Sequence, residues 1–252
     1  MQGTTAKEAS GSRTRIDSDR RAALSAGVLF ITATVTSVVG TGLSRPFVND
    51  PDYLDRVAAH ANQVTAGALF EFIAAAASAG IAISLYPVLR KWSAGLALGS
   101  VAFRTMEALM YTVGVVGLLS VLRLSQRFTS PGVADRAALQ TIGDSLLGVR
   151  EQAMLAGVLA FSLGALMYYW VFYRARLVPR WLSGWGLVAI ILAIAACLLA
   201  WFSHDSVTTY TILFLPIGVQ EMVLAVWLIA KGFSSSAFPT PVEPHLTWAP
   251  RQ

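Results

Sequence analysis

Four ionisable residues interrupt long stretches of sequence that are otherwise free of charge: Glu71, Arg104, Glu107 and Glu221. Each lies in an apolar run long enough to cross a bilayer, where a charged side chain is costly unless it is paired or hydrated. Carboxyl and guanidinium groups at such positions either move protons or contact a ligand, or they fix the register of neighbouring helices. Both interpretations stay open at the level of sequence.

The spacing of these residues predicts that they meet. Arg104 and Glu107 share one helix face with Tyr111, because they are three and four residues apart. With a rise of about 1.5 Å per residue, Arg104 and Glu221 lie at similar depths, about 15–17 Å from the side at which both chain ends emerge. The same calculation puts Glu71 level with Glu107, in the adjacent layer.

We therefore predict a polar core with Arg104 at its centre, held by Glu107 and Glu221. The remaining candidate members are Glu71, Tyr111 and Gln220. Since Arg104 is the only cation in this prediction and faces three carboxyl groups, at least one glutamate is expected to be protonated at neutral pH.

The residue types that would indicate an enzyme are scattered. The histidines are His60, His204 and His245, and no pair of them has the spacing of a known metal motif. No catalytic residue, metal ligand or cofactor is predicted. Convergence of His60, His204 and Asp205 in the fold would favour an intramembrane enzyme instead.

The composition indicates that this chain is surrounded by a lipid bilayer rather than by water. Of its 252 residues 55% are hydrophobic and 13% are charged, against about 25% charged in a typical soluble domain. The net charge of +5 does not indicate nucleic-acid binding, because the Lys and Arg residues mostly flank the apolar runs. The predicted partners are the lipid bilayer and an unidentified small molecule or lipid.

Six apolar runs predict an all-α, polytopic membrane bundle, since a barrel would show short alternating segments. The predicted spans are 22–44, 64–89, 93–122, 152–173, 181–203 and 207–230, within a transmembrane domain of residues 22–232. Short amphipathic helices are expected in both long outer connections, the second over 133–148. Residues 1–21 are predicted to form a polar cytoplasmic tail, and 233–252 a disordered, Pro-rich one.

The distribution of Lys and Arg predicts the orientation. Twelve lie on the side of the chain termini and six on the opposite side, and the richer side is normally cytoplasmic. We therefore expect a plasma-membrane protein with both termini in the cytoplasm.

Several motifs together resemble a bacterial integral-membrane family catalogued as domain of unknown function 4386. They are LYPVLRK at 85–91, Phe103-Arg104 with Glu107-Ala108, YRARLVPRWLS at 173–183, and Glu221 followed by LAVWLIAKGF at 224–233. The resemblance covers about residues 20–233. It implies a multi-helix membrane protein and supplies no activity, cofactor or partner.

Three functions remain open at this point. The first is a transporter for a small molecule, an ion or a proton-coupled substrate, or a ligand-binding membrane protein. The second is an intramembrane enzyme that acts on a lipid, and the third is a structural or assembly subunit. A cavity that reaches Glu107 or Glu221 favours the first, and a dry, fully packed interior favours the third.

Overall fold

Helices make up all the regular structure that the computed structural model describes, which covers residues 2–130, 135–203 and 207–234. The α-helices are α1 (Gln2–Val48), α2 (Tyr53–Ala59), α3 (Ala61–Leu89), α4 (Ala94–Phe128), α5 (Arg136–Ala175), α6 (Arg180–Ser203) and α7 (Thr211–Ala230). A one-turn 3-10 helix, Val207–Tyr210, precedes α7. The all-α prediction is confirmed for these ranges.

Within the described ranges, six helices are long and apolar enough to cross a bilayer. They are α1 from Ser18 onward, α3, α4, α5, α6 and α7, so the predicted number of spans is confirmed. The side where α1 begins its span and α7 ends is called the terminal face here. The opposite side, which carries α2 and the α4–α5 connection, is called the distal face.

The six spans form a closed ring. Each packs against its neighbour along the chain, and α7 returns to pack against α1. The largest apolar cluster fills the half of the ring near the terminal face, with Phe30, Tyr168, Tyr169 and Phe172 among its fully buried side chains. Large apolar side chains such as Val28, Ile83 and Leu109 point outward, as expected for a surface that faces lipid.

The second outer connection differs from its prediction. No separate helix covers 133–148: residues 131–134 lie outside the described ranges, and from Arg136 the chain belongs to α5, which runs unbroken to Ala175. The stretch contains no proline, and its two glycines, Gly143 and Gly148, do not stop the helix. At 40 residues, α5 is about 60 Å long, so it exceeds the hydrocarbon thickness by a wide margin.

The first outer connection does contain a short helix, α2. Its residues Tyr53 and Leu54 pack on Val121 of α4, and the Tyr53 hydroxyl donates to Asp144 Oδ1 of α5 at 2.9 Å. A short connecting helix is therefore present in the first of the two connections. It covers the distal ends of α4 and α5.

Close contacts fasten α1 to α7 at the terminal face. The Arg20 guanidinium donates to the carbonyl oxygens of Leu228 and Ile229, at 3.0 and 2.6 Å, in the last turn of α7. A Cβ atom added at Gly27 would lie 2.8 Å from the Ala225 carbonyl oxygen. The two helices thus touch backbone to backbone in this half of the ring.

A second close approach joins α1 to α3. A Cβ atom at Gly40 would lie 2.9 Å from both the Glu71 nitrogen and the Gly67 carbonyl oxygen. Glycine at both positions lets the helices approach closely, as small residues do in membrane proteins. This contact sets the position of Glu71 relative to α1.

Candidate functional site

A cavity of about 480 Å³ lies inside the ring, between α1, α3, α4, α5 and α7. Apolar side chains such as Val158, Phe161, Phe214 and Ile217 form much of its wall. Its ionisable lining residues in the described part of the chain are Glu71, Arg104, Glu107, Tyr111 and Glu221. Five of the six predicted core residues therefore face one space.

Arg104 and Glu107 form the central ion pair. Arg104 Nη1 lies 3.1 Å from Glu107 Oε2, and both side chains are almost fully buried, with 2% and 4% of their surface exposed. The pair lacks hydrogen-bond geometry, since Arg104 Nε and Nη1 and Glu107 Oε2 have no hydrogen-bond partner in the described structure. Buried polar atoms are normally satisfied, so this ion pair leaves part of its hydrogen-bonding capacity unused.

The surroundings of Arg104 hold it in place from α5. Its guanidinium lies 4.9 Å from the centre of the Phe161 ring, within range of a cation–π interaction. A Cβ atom at Gly164 would approach the Arg104 Cγ atom to 3.0 Å. A larger residue at position 164 would therefore push the arginine side chain toward the cavity.

Glu221 does not join Arg104 in a direct ion pair, contrary to the prediction. Its described hydrogen bond is with Tyr168, whose hydroxyl donates to Glu221 Oε1 at 3.4 Å, and no Arg104–Glu221 pair lies within 4.0 Å. Both residues line the same cavity, but α7 is not a neighbour of α4 in the ring. They are therefore on different walls of the cavity.

Glu71 belongs to a different pair. Arg150 Nη2 donates to both of its carboxylate oxygens, at 2.8 and 2.9 Å, and the Ser44 hydroxyl donates to Oε1 at 3.0 Å. Arg150 Nη1 also donates to the Gly114 carbonyl oxygen at 2.8 Å. The prediction that Arg104 is the only cation of the core is therefore wrong, because the early start of α5 brings Arg150 into the bundle.

Tyr111 and Gln220 have different surroundings. Tyr111 lines the cavity and packs against Gly157 of α5. Gln220 is fully buried away from the cavity, where its amide donates to the Leu182 carbonyl oxygen at 3.1 Å and its Oε1 accepts from the Tyr169 hydroxyl. It links α7 to α5 and α6 and so fixes the rotation of the helix that carries Glu221.

Sequence reasoning missed Arg150, Ser44 and Tyr168. A signal for Arg150 was present, because it lies seven residues from both Gly143 and Gly157 and so shares their helix face. Those glycines contact Tyr53 and Tyr111. The heptad spacing would have put Arg150 on the interior face of α5.

The charges of the cavity do not balance. Glu71 and Arg150 neutralise each other, which leaves Arg104 facing Glu107 and Glu221 among the described lining residues. One positive and two negative groups give a net charge of −1 when all are ionised. In a low-dielectric interior such an excess favours uptake of a proton or of a cation.

No arrangement of metal ligands appears in the described residues, where no three His, Cys, Asp or Glu side chains group together. His60 stacks on Phe47 with ring centres 4.1 Å apart. The enzyme hypothesis requires His204 and Asp205 to lie close to His60, and both residues lie outside the described residues.

Comparison with known protein families gives a match that covers most of the chain. Residues 25–232 match the family described as Domain of unknown function (DUF4386). The chain belongs to this family. No curated protein and no solved structure matches it. For this member of the DUF4386 family, the six apolar helices are those of an integral membrane protein.

Proposed function

We propose that this DUF4386 protein binds a small molecule inside its ring of helices. The observation that carries the proposal is a cavity of about 480 Å³ whose wall presents a buried arginine and glutamate with unpartnered polar atoms. A purely structural ion pair would satisfy its own donors and acceptors. Ligand pockets commonly combine this scale of volume with an apolar wall and a few convergent polar groups.

The ligand reaches the cavity from the side, between α1 and α7. These helices are in contact at Gly27 and Ala225, near the terminal face. Farther toward the distal face both helices contribute to the cavity wall, and the lining residues Ser37, Val38 and Thr211 are exposed on the outside of the ring. An opening of this kind admits molecules that are dissolved in the bilayer.

The ligand-contacting residues in this proposal are Arg104, Glu107, Tyr111 and Glu221. Glu71 closes the distal side of the site through its pair with Arg150. Gln220 supports the site from behind, since it holds the rotation of α7. Transport would require a second opening of the same cavity, and the terminal-face contacts of Arg20 would then be the ones to separate.

Blocking the cavity tests the proposal. Nothing lies within 4 Å of a Cβ atom built on Gly218, which lines the cavity, so Gly218→Trp should fill the space without disturbing the fold. Gly148→Trp is the matched control, because Gly148 is exposed on α5 with equally free surroundings. Native mass spectrometry of protein released from nanodiscs should show a bound small molecule in the wild type and the control. It should be absent from Gly218→Trp; an unchanged set of bound species would contradict the proposal.

The same protein is proposed to lie in a bacterial plasma membrane with both termini in the cytoplasm. The excess of Lys and Arg on the terminal face supports this orientation, and it grows to twelve against five once Arg150 is assigned to the buried pair. A membrane-impermeant maleimide added to whole cells should label Asp135→Cys and leave Ser234→Cys unlabelled. The chain's own Cys197 is buried, so the background should be low; labelling of Ser234→Cys would overturn the orientation.

A further inference from the structure

The chemistry of the cavity wall selects one class of ligand. Glu107 already faces Arg104 at 3.1 Å, whereas Glu221 has no cation within 4.0 Å in the described structure. The uncompensated carboxyl group is thus on α7, the helix that forms one side of the lateral opening. Around it the wall is mainly apolar, with aromatic rings from Phe161 and Phe214.

From this arrangement we infer that the ligand is a lipophilic monocation, such as a quaternary ammonium ion or a protonated amine on an apolar body, and that it exchanges for one proton at Glu221. The inference rests on the proposed function, since it names the class of molecule that enters the same cavity. In the empty state Glu221 holds the proton, and the net charge of the wall is zero. When the cation binds, the proton leaves to solvent and the carboxylate forms an ion pair with the cation, so the charge stays balanced.

A cation fits this wall better than an anion. An anion would have to displace Glu107 from Arg104 or share the arginine with it, and two carboxylates would then repel it. A cation finds the Glu221 carboxylate and the ring of Phe214, both of which stabilise positive charge in a dry site, while Phe161 already faces Arg104. A lateral opening suits a molecule with a large apolar part, because such a molecule concentrates in the bilayer.

The groups that act on Glu221 come from several helices. Helix α4 contributes Arg104, Glu107 and Tyr111, and α5 contributes Tyr168 and Tyr169. The same cavity is lined by Glu71 of α3, which is paired with Arg150 of α5. Helix α6 places Cys197 near Tyr111. The lining residues of α1 are uncharged. Arg104 is the single cation of this set outside the Glu71–Arg150 pair, and Glu107 lies directly against it. The proton that exchanges therefore belongs to the carboxyl group on α7.

A pair of probes with the same shape and opposite charge tests the ligand class. Tetraphenylphosphonium and tetraphenylborate are titrated into the purified protein by isothermal calorimetry, each in two buffers with different ionisation heats. The phosphonium ion should bind with release of about one proton, and its affinity should weaken by about tenfold for each pH unit below the titration of Glu221. Tetraphenylborate should not bind.

Two variants identify the exchanging group. Glu221→Gln should abolish proton release and the pH dependence of phosphonium binding. Glu151→Gln, at an exposed glutamate on α5, should leave both unchanged. Thermal unfolding shows whether each variant is folded. If Glu221→Gln does not fold, the number of protons that the wild type releases on binding still tests the exchange.

The outcomes separate this inference from the function on which it depends. Preferential binding of tetraphenylborate, phosphonium binding without proton release, or full pH dependence in folded Glu221→Gln would each overturn the cation–proton exchange. If neither ion binds while Gly218→Trp still removes a bound molecule, the ligand class is wrong and the proposed function holds. If Gly218→Trp removes nothing, the proposed function itself fails.

Discussion

The Glu71–Arg150 pair should be the most sensitive polar contact in the bundle. Arg150 donates to both carboxylate oxygens of Glu71, and the two side chains are only 14% and 7% exposed. Arg150→Gln would leave Glu71 charged and almost fully buried, with the Ser44 hydroxyl as its remaining partner. Removing one partner of a buried pair destabilises a protein by about 3–5 kcal/mol.

For Arg150→Gln we expect the free energy of unfolding to fall by about 3 kcal/mol, the lower end of this range, because the hydrogen bond from Ser44 to Glu71 remains. For a chain of this size each kcal/mol lowers the melting temperature by about 2–4 °C, which predicts a fall of about 6–12 °C for Arg150→Gln. The double variant Glu71→Gln with Arg150→Gln should lose less than the two single variants together, because no charge is left without its partner.

The fluorescence of the seven tryptophans reports thermal unfolding in detergent and gives the melting temperatures directly. Arg123→Gln is the matched control, since Arg123 is exposed on α4 and its loss should change the melting temperature very little. The reasoning would be refuted if Arg150→Gln had the same melting temperature as the Arg123→Gln control. It would also fail if the double variant lost the full sum of the two single losses.

Three further predictions use the same assay. Gly40→Ala should destabilise the protein by about 1–3 kcal/mol, because its Cβ atom would meet the α3 backbone at 2.9 Å, whereas Gly42→Ala, with nothing within 4 Å, should not; equal losses would argue against the close α1–α3 contact. Arg104→Ala should lose more stability at pH 9 than at pH 5, because Glu107 and Glu221 then lack a cation and a lower pH reduces the penalty by favouring their protonated forms. Replacing the arginine and both glutamates by uncharged residues should be milder, and an unchanged melting curve for Arg104→Ala at every pH would show that the pair is unimportant. Burial and the hydrogen bond to an aspartate raise the pKa of Tyr53; its stabilisation should be complete below the ordinary tyrosine pKa of about 10 and decline as the pH rises above it. Tyr53→Phe should therefore be less stable than the wild type at pH 8, and the difference should become smaller between pH 10 and pH 11 as the decline begins; a difference that stays constant over that range would contradict this.

The sequence by itself determined the number of spans and allowed the depth of each ionisable residue to be predicted. Uncharged runs of twenty or more residues have no other stable form in a bilayer than helices, and a fixed rise per residue converts position into depth. For this reason Arg104 and Glu107 were correctly expected to pair, since they are on one helix and one turn apart. The family was likewise recognisable from motifs spread over most of the chain.

Tertiary structure decided which of these groups face one another. Depth does not specify the order of helices around a ring, so Glu221 is on a different wall from Arg104 and bonds to Tyr168 instead. The extent of a helix beyond its apolar run depends on what packs against it: α2 and the distal half of α4 support the early turns of α5, and this brings Arg150 to Glu71. The cavity has the same origin, because side chains of five helices form its wall, and α1 and α7 contribute to that wall with residues other than those of their close contact at Gly27. Contacts between segments far apart in the chain depend on helix rotation and crossing, and hydrophobic periodicity leaves both open.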